Sequence, residues 1–190
     1  MTSIFKQQRE MVGEKIIETA VRLFREKSYD SVSISEITQT VGIAKGTFYN
    51  FFSTKRDVLM RWAQDYFQSM DLKKAINPGH TIEDNLFSVI EIMVDEMEGQ
   101  GPLFASFLSE LIPGDGDMES QFDMKSIFSS TVRLSADFDR VSDGFDNKMN
   151  VLNHALFMAV IEWFREQRPM SGLAAHLKNI VKICLYGMMQ

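Results

Sequence analysis

Lys45, Thr47, Tyr49 and Asn50 put a cation, a hydroxyl, a phenol and a primary amide within six consecutive residues. That mixture can read DNA: charge and hydroxyls meet phosphates, and an amide or hydroxyl meets base edges. The stretch that holds them, residues 41–52, reads Val-Gly-Ile-Ala-Lys-Gly-Thr-Phe-Tyr-Asn-Phe-Phe. Phe48, Phe51 and Phe52 recur at i, i+3 and i+4, so one face of a two-turn helix can anchor in a core while the polar side chains point away. Gly42 suits the end of the preceding helix, where a left-handed residue is needed.

The elements that must position this helix lie just before it. Ser33 is an expected N-cap, with Glu36 three residues on completing a capping box. Ile34, Ile37 and Val41 give the helix one apolar face, leaving Ser35, Thr38 and Gln39 outside. Two short helices joined by a glycine turn make a helix-turn-helix, whose second helix enters the major groove. Residues 10–27 supply a third helix, with Ile16, Ile17, Ala20, Val21 and Phe24 as its stripe. Its basic residues Lys6, Arg9 and Lys15 are available to a phosphate. Residues 53–57 open the next helix, where Thr54 and Asp57 form a capping-box-like pair. Lys55 and Arg56 stand against the helix dipole, and a DNA phosphate near that N-terminus would account for them.

Residues 33–59, above all 42–52 followed by Lys55, resemble the DNA-binding signature of the TetR family of bacterial transcriptional regulators. Ala44 stands where that signature more often has serine, Asn50 where it has histidine, and Phe51 where it has tyrosine. The resemblance covers about a quarter of the chain. It implies an all-α fold of about nine helices, with a three-helix DNA-binding head over residues 1–56 and a helical ligand-binding and dimerisation domain over 57–190. Ser33, Ala44, Lys45, Gly46, Thr47, Tyr49, Asn50 and Lys55 are then the expected DNA contacts.

Composition agrees with a globular protein: 190 residues, 45% hydrophobic. No apolar run approaches a membrane span, the N-terminal residues have no signal-peptide core, and a single cysteine, Cys184, fits a reducing cytoplasm. Net charge is −6, but residues 1–56 carry nine Lys and Arg against six Asp and Glu (net +3), and residues 57–190 carry eleven against twenty (net −9). A mildly positive head on an acidic body fits a DNA binder with a separate regulatory part.

Beyond the head, the helical pattern continues without β-alternation or repeats. One helix runs to about residue 76, with Val58, Leu59, Trp62, Ala63, Tyr66, Phe67 and Met70 inward. Thr81 caps the next, with Asp84 at N3. A short apolar helix comes after the 99–102 break, then a loop at 113–117, a helix over 118–135 and an acidic loop over 136–146. Two long helices, 147–167 and one capped by Ser171, finish the chain. The first is apolar on more than one side, so a partner subunit is expected on the second side. The resemblance implies that this pair forms a two-fold four-helix interface, with Leu152, Leu156, Trp163, Leu177, Val181 and Cys184 as expected contacts.

No enzyme is evident: there is no nucleophile motif, no Ser/His/Asp order and no glycine-rich phosphate loop. His80, His154 and His176 have no metal-ligand spacing, and a site from His154, His176 and Glu162 has nothing to support it. The acidic residues at 137–148 and at 115–117 miss the EF-hand pattern and read as solvated loops. No cofactor is implied. Phenylalanine and methionine suit an adaptable apolar cavity for a small-molecule effector, with Phe67, Met93, Phe104, Phe107, Phe128, His154 and Phe157 as candidate contacts. Glu110, Asn153 and His154 stand out as polar residues in apolar surroundings. The expected function is a cytoplasmic, homodimeric, ligand-responsive regulator of transcription, a repressor released from a double-stranded operator by its effector. The alternatives are a helical binding module or enzyme of the same fold without DNA binding, and a metal-responsive sensor.

Overall fold

Every described element is a helix or turn, as the 3.6-residue periodicity requires. A computed structural model describes residues 2–111 and 124–188. Among these are nine α-helices: α1 (Thr2–Lys27), α2 (Ile34–Val41), α3 (Lys45–Tyr49), α4 (Lys55–Ser69), α5 (Ile82–Gln100), α6 (Pro102–Leu111), α7 (Met124–Arg133), α8 (Phe145–Arg165) and α9 (Leu173–Met188). The loop expected at 113–117 and the helix start expected at 118–123 lie outside the described residues.

The chain divides into two units. The first takes in residues up to Phe67 and returns for Pro102–Glu110, so it holds α1 to α4 and α6. It therefore extends past the 56/57 boundary expected from the sequence. Its interior is built on Ile16, Ala20 and Phe24 from α1, Ile37 and Val41 from α2, Phe48 from α3, and Val58, Leu59 and Ala63 from α4. Helix α1 starts earlier than expected, at Thr2. Helix α4 stops earlier, at Ser69, and a separate 3-10 turn covers Leu72–Ala75.

The second unit is Gln68–Gly101 with the described residues from Leu111 on. Thr81 caps α5 as expected, its Oγ1 accepting from the Asp84 N–H at 3.2 Å. Ile82, Leu86, Val89, Ile90, Met93 and Met97 are buried, as their spacing predicts. The acidic loop is not wholly a solvated one. Asp137 turns its carboxylate to the backbone N–H of Ile82 at 2.7 Å, satisfying an orphan donor at the α5 N-terminus. Asn85, fully buried, exchanges two hydrogen bonds with the Asn77 backbone at 2.9 Å each and donates to Ser135 Oγ. Leu134, expected inward, is exposed because α7 ends one residue before it.

Helices α8 and α9 pack side by side. Trp163 stacks on His176 with centroids 5.1 Å apart and donates its indole N–H to the Pro169 carbonyl. Ser171 lies in a 3-10 turn, Met170–Gly172, and α9 begins after it. The interface residues expected from the sequence turn inward instead. Leu152, Leu156, Trp163, Leu177 and Val181 are buried within this one chain, and Cys184 is half-buried. They are the inward stripe that meets α5, α7 and each other. The apolar side chains left outside are Val151 and Met158 on α8 and Ile183 and Tyr186 on α9, 60%, 39%, 63% and 73% exposed.

Candidate nucleic-acid interface

The reading helix is positioned from its neighbours inward. Ser33 is in extended conformation and its Oγ accepts from the Glu36 N–H at 3.2 Å, capping α2. The other half of the expected capping box is diverted, because the Glu36 carboxylate pairs with Lys27 of α1. Ile37 and Val41 are buried; so is Thr38, expected outside, whose hydroxyl donates to the Ser35 carbonyl at 3.0 Å. An in-helix bond of this kind lets a threonine sit in apolar surroundings.

Gly42 has φ +82°, and the N–H groups of Gly42 and Ile43 both meet the Thr38 carbonyl at 3.0 Å. This left-handed C-cap closes α2 and turns the chain into α3. Helix α3 is shorter than the two turns expected, ending at Tyr49 with Asn50 as its C-cap. Phe48 is its anchor, fully buried, with edge-on contact to Tyr49 and a tilted contact to Phe52. Phe51 lies 3.4 Å from where a Cβ on Gly13 would stand, so α1 approaches this end of the head closely. Arg9 of α1 also reaches it, donating to the Asn50 carbonyl at 3.4 Å with its guanidinium over the Phe51 ring.

Ala44, Lys45, Gly46, Tyr49 and Asn50 are exposed and Thr47 is half-buried, all on this one short segment; Ser33 is exposed at the start of α2. Ala44 makes no side-chain cap for α3. Lys55 is placed differently. It is half-buried, and its ammonium donates to the carbonyls of Tyr29 at 2.6 Å and Val32 at 3.1 Å, 4.1 Å from the centre of the Tyr29 ring. Those bonds give a cation at this helix start a structural role within the head. Nothing in local spacing marks carbonyls 23 and 26 residues upstream, so sequence reasoning has no signal for them. Asp57 and Thr54 form a fully reciprocal cap: the Asp57 carboxylate accepts from the Ser53 and Thr54 N–H groups at 2.9 Å each, and Thr54 Oγ1 accepts from the Asp57 N–H.

The candidate effector contacts do not all fall in one unit. In the first, Phe67, Phe104 and Phe107 form an aromatic cluster with centroids 5.5–6.1 Å apart. In the second, Met93 and Phe128 are buried, Phe157 is half-buried and His154 is exposed. Asn153 is buried, and Glu110 pairs with Arg56. Among the described residues, no three His, Cys, Asp or Glu side chains gather as a metal site would require, and no helix is long and apolar enough to cross a membrane.

Residues 16–61 match the family model of the bacterial regulatory proteins of the tetR family. The HTH-type transcriptional regulator YvdT of Bacillus subtilis (strain 168) is 33% identical over 84 residues, 44% of this chain and 42% of that protein. The HTH-type transcriptional repressor DhaR of Mycobacterium sp. (strain GP1) is 29% identical over 109 residues, 54% of this chain and 53% of its own. The chain thus spans about half the length of these relatives. The fold extends much further than the sequence likeness. Thermus thermophilus FadR, a TetR-family transcriptional repressor solved with lauroyl-CoA, superposes with a TM-score of 0.73 over 94% of this chain and 95% of its own, at 16% identity. A TetR transcriptional regulator from Rhodococcus sp. RHA1 gives 0.69 over 95% and 98%, at 13% identity. Residues 16–61 thus carry the DNA-binding region of the bacterial regulatory proteins of the tetR family, and the helices after them share the fold of TetR-family structures.

Proposed function

We propose that the chain is a ligand-responsive, sequence-specific DNA-binding regulator of transcription, acting as a repressor that a small-molecule effector releases from its operator. One observation carries this reading. Lys45 and Tyr49 stay exposed and Thr47 half-exposed on a helix whose only buried residue, Phe48, is fixed in the core and whose entry is fixed by the Gly42 turn. Such a helix can enter a major groove without rearrangement. The repressor sense is supported by relatives named as repressors, DhaR and the biofilm-operon negative regulator IcaR of Staphylococcus epidermidis. Release by an effector is supported by the fold shared with FadR, whose structure holds lauroyl-CoA. Candidate effector contacts are Phe67, Phe104 and Phe107 in the first unit, and Met93, Phe128, His154 and Phe157 in the second.

The active species is a homodimer, joined through the outward face of α8 and α9 at Val151, Met158, Ile183 and Tyr186. A chain that leaves four large apolar side chains outside on one helix pair gains by covering them with a second copy. Two copies of α3 then read two half-sites about one helical turn, or a small multiple, apart.

The test is selection of bound sequences from a random duplex library at two salt concentrations. A pseudo-palindrome with two half-sites supports the reading. Enrichment of nothing, with binding lost at physiological salt, rejects it. Lys45→Ala then lowers affinity for every sequence and reduces the salt slope by about one. Thr47→Ala and Asn50→Ala instead change which sequence is preferred. Lys45 is the better phosphate probe, because Lys55→Ala also removes two bonds that hold the head together.

A further inference from the structure

We propose that Glu110 is a positioning residue for DNA reading: from α6 it fixes the first turn of α4, and through that turn the α2–α3 head. The inference rests on the DNA-reading role proposed above. Arg56, in the first turn of α4, donates its Nε–H to the Glu110 backbone carbonyl at 3.3 Å and lies 3.7 Å from its carboxylate. Both side chains are about one-third exposed, so the pair is only partly screened. The buried Tyr29 phenol feels the same carboxylate: its pKa is raised above the ordinary phenol value, first by burial and then by Glu110.

From there a short series of contacts leads to the reading helix. Lys55, next to Arg56, holds the carbonyls of Tyr29 and Val32. Val32 directly precedes Ser33, the cap of α2. Helix α2 turns at Gly42 into α3. On the other side, Asp57 holds the Ser53 and Thr54 N–H groups just after α3. The chain bearing the Tyr29, Lys55, Arg56 and Asp57 groups lies within residues 29–57. Glu110 comes from 54 residues beyond Arg56, on a helix that the chain enters from, and leaves to, the second unit. Arg56 and Tyr29 are the two grips through which this carboxylate holds the head. A partly buried ion pair suits a positioning role, because removing the carboxylate's charge loosens the start of α4 from α6.

The experiment uses the full chain and two variants, Glu110→Gln and Tyr29→Phe, each also placed in an Arg56→Ala background. Affinity for the selected operator, its salt slope and amide hydrogen exchange without DNA are measured. Glu110→Gln is expected to lower affinity about two- to thirtyfold, leaving the preferred sequence and the salt slope unchanged. Most of the loss should vanish when Arg56 is already alanine, leaving the smaller part carried by Tyr29. Amides of residues 45–50 should exchange faster in Glu110→Gln, and Tyr29→Phe should move both readouts the same way by less. Unchanged affinity and exchange overturn the proposal, as does a full loss that persists without Arg56. Raised affinity with a steeper salt slope also overturns it, since the carboxylate would then simply be repelling phosphate. If the native chain selects no operator, the DNA-reading role falls, and exchange at 45–50 alone decides whether Glu110 holds the head.

Discussion

The α2–α3 head and the α8–α9 pair present opposite problems to a reader of sequence. In the head, apolar residues are fewer than in α8–α9, and they are spaced to face mainly one way. Ile37, Val41 and Phe48 go inward, while Lys45 and Tyr49 of α3 stay out. In α8–α9, apolar residues run nearly all the way round. Periodicity then finds a stripe but does not say what covers it. Leu152, Leu156, Leu177 and Val181 are this chain's own interior, and Val151, Met158, Ile183 and Tyr186 are left exposed. A narrow apolar face identifies the core; a broad one mixes core with interface.

Paired substitutions separate the two faces of α8–α9, and they carry the largest expected effects. Leu152 is fully buried, so Leu152→Ala removes packing and leaves a cavity, costing about 2–5 kcal/mol of fold stability. Ile183 is exposed, so Ile183→Glu should leave the helical circular-dichroism signal and monomer fold intact while shifting the mass by light scattering from dimer to monomer. A stable Ile183→Glu dimer would break the comparison, because the exposed face would then not be the interface.

A second pair asks whether the head is special in more than stability. Gly42 (φ +82°) and Gly144 (φ +60°) both end or begin a helix in the left-handed region, and each has open space where a Cβ would go. Alanine at either position therefore meets only backbone strain, about 1–2 kcal/mol. Thermal melts should show similar losses for Gly42→Ala and Gly144→Ala. Operator affinity should fall for Gly42→Ala alone, because that turn aims α3. Equal affinity losses would mean that general stability, and not the turn, governs reading.

The same contrast explains which features are legible in the sequence. The caps at Ser33, Thr54 and Thr81, the Gly42 turn and the stripe of α5 depend on residues three to eight positions apart, and spacing reveals them. The roles of Lys55, Asp137, Asn85 and Glu110 depend on backbone groups or side chains 8 to 55 positions away. A carboxylate capping a distant helix and a carboxylate in a solvated loop look alike in sequence, so spacing alone places Asp137 among the latter. Lys55 invites a phosphate for the same reason: its position against the dipole is visible in the sequence, and its carbonyl partners are not.

Alkaline titration gives the smallest effect, and it differs between the regions in where it starts. The Tyr29 phenol has its pKa raised above the ordinary value near 10 by burial and then by Glu110, and Lys27 is raised by its hydrogen bond to Glu36. In the second unit, burial raises the Cys184 thiol above its ordinary value near 9, and Asp71 raises Lys74. For every one of these groups the folded state holds its proton more tightly than the unfolded state. Each contribution is therefore complete below the unfolded value and is lost as pH climbs through the folded one. Stability should begin to fall near pH 9 through Cys184 and fall further above pH 10 through Tyr29 and the two lysines. Urea midpoints from about pH 8 to 11 should show Cys184→Ala flattening the first part of the decline and Tyr29→Phe the second. An unchanged curve in Tyr29→Phe would mean that the phenol is as well solvated in the fold as outside it, and would remove one of the two grips assigned to Glu110.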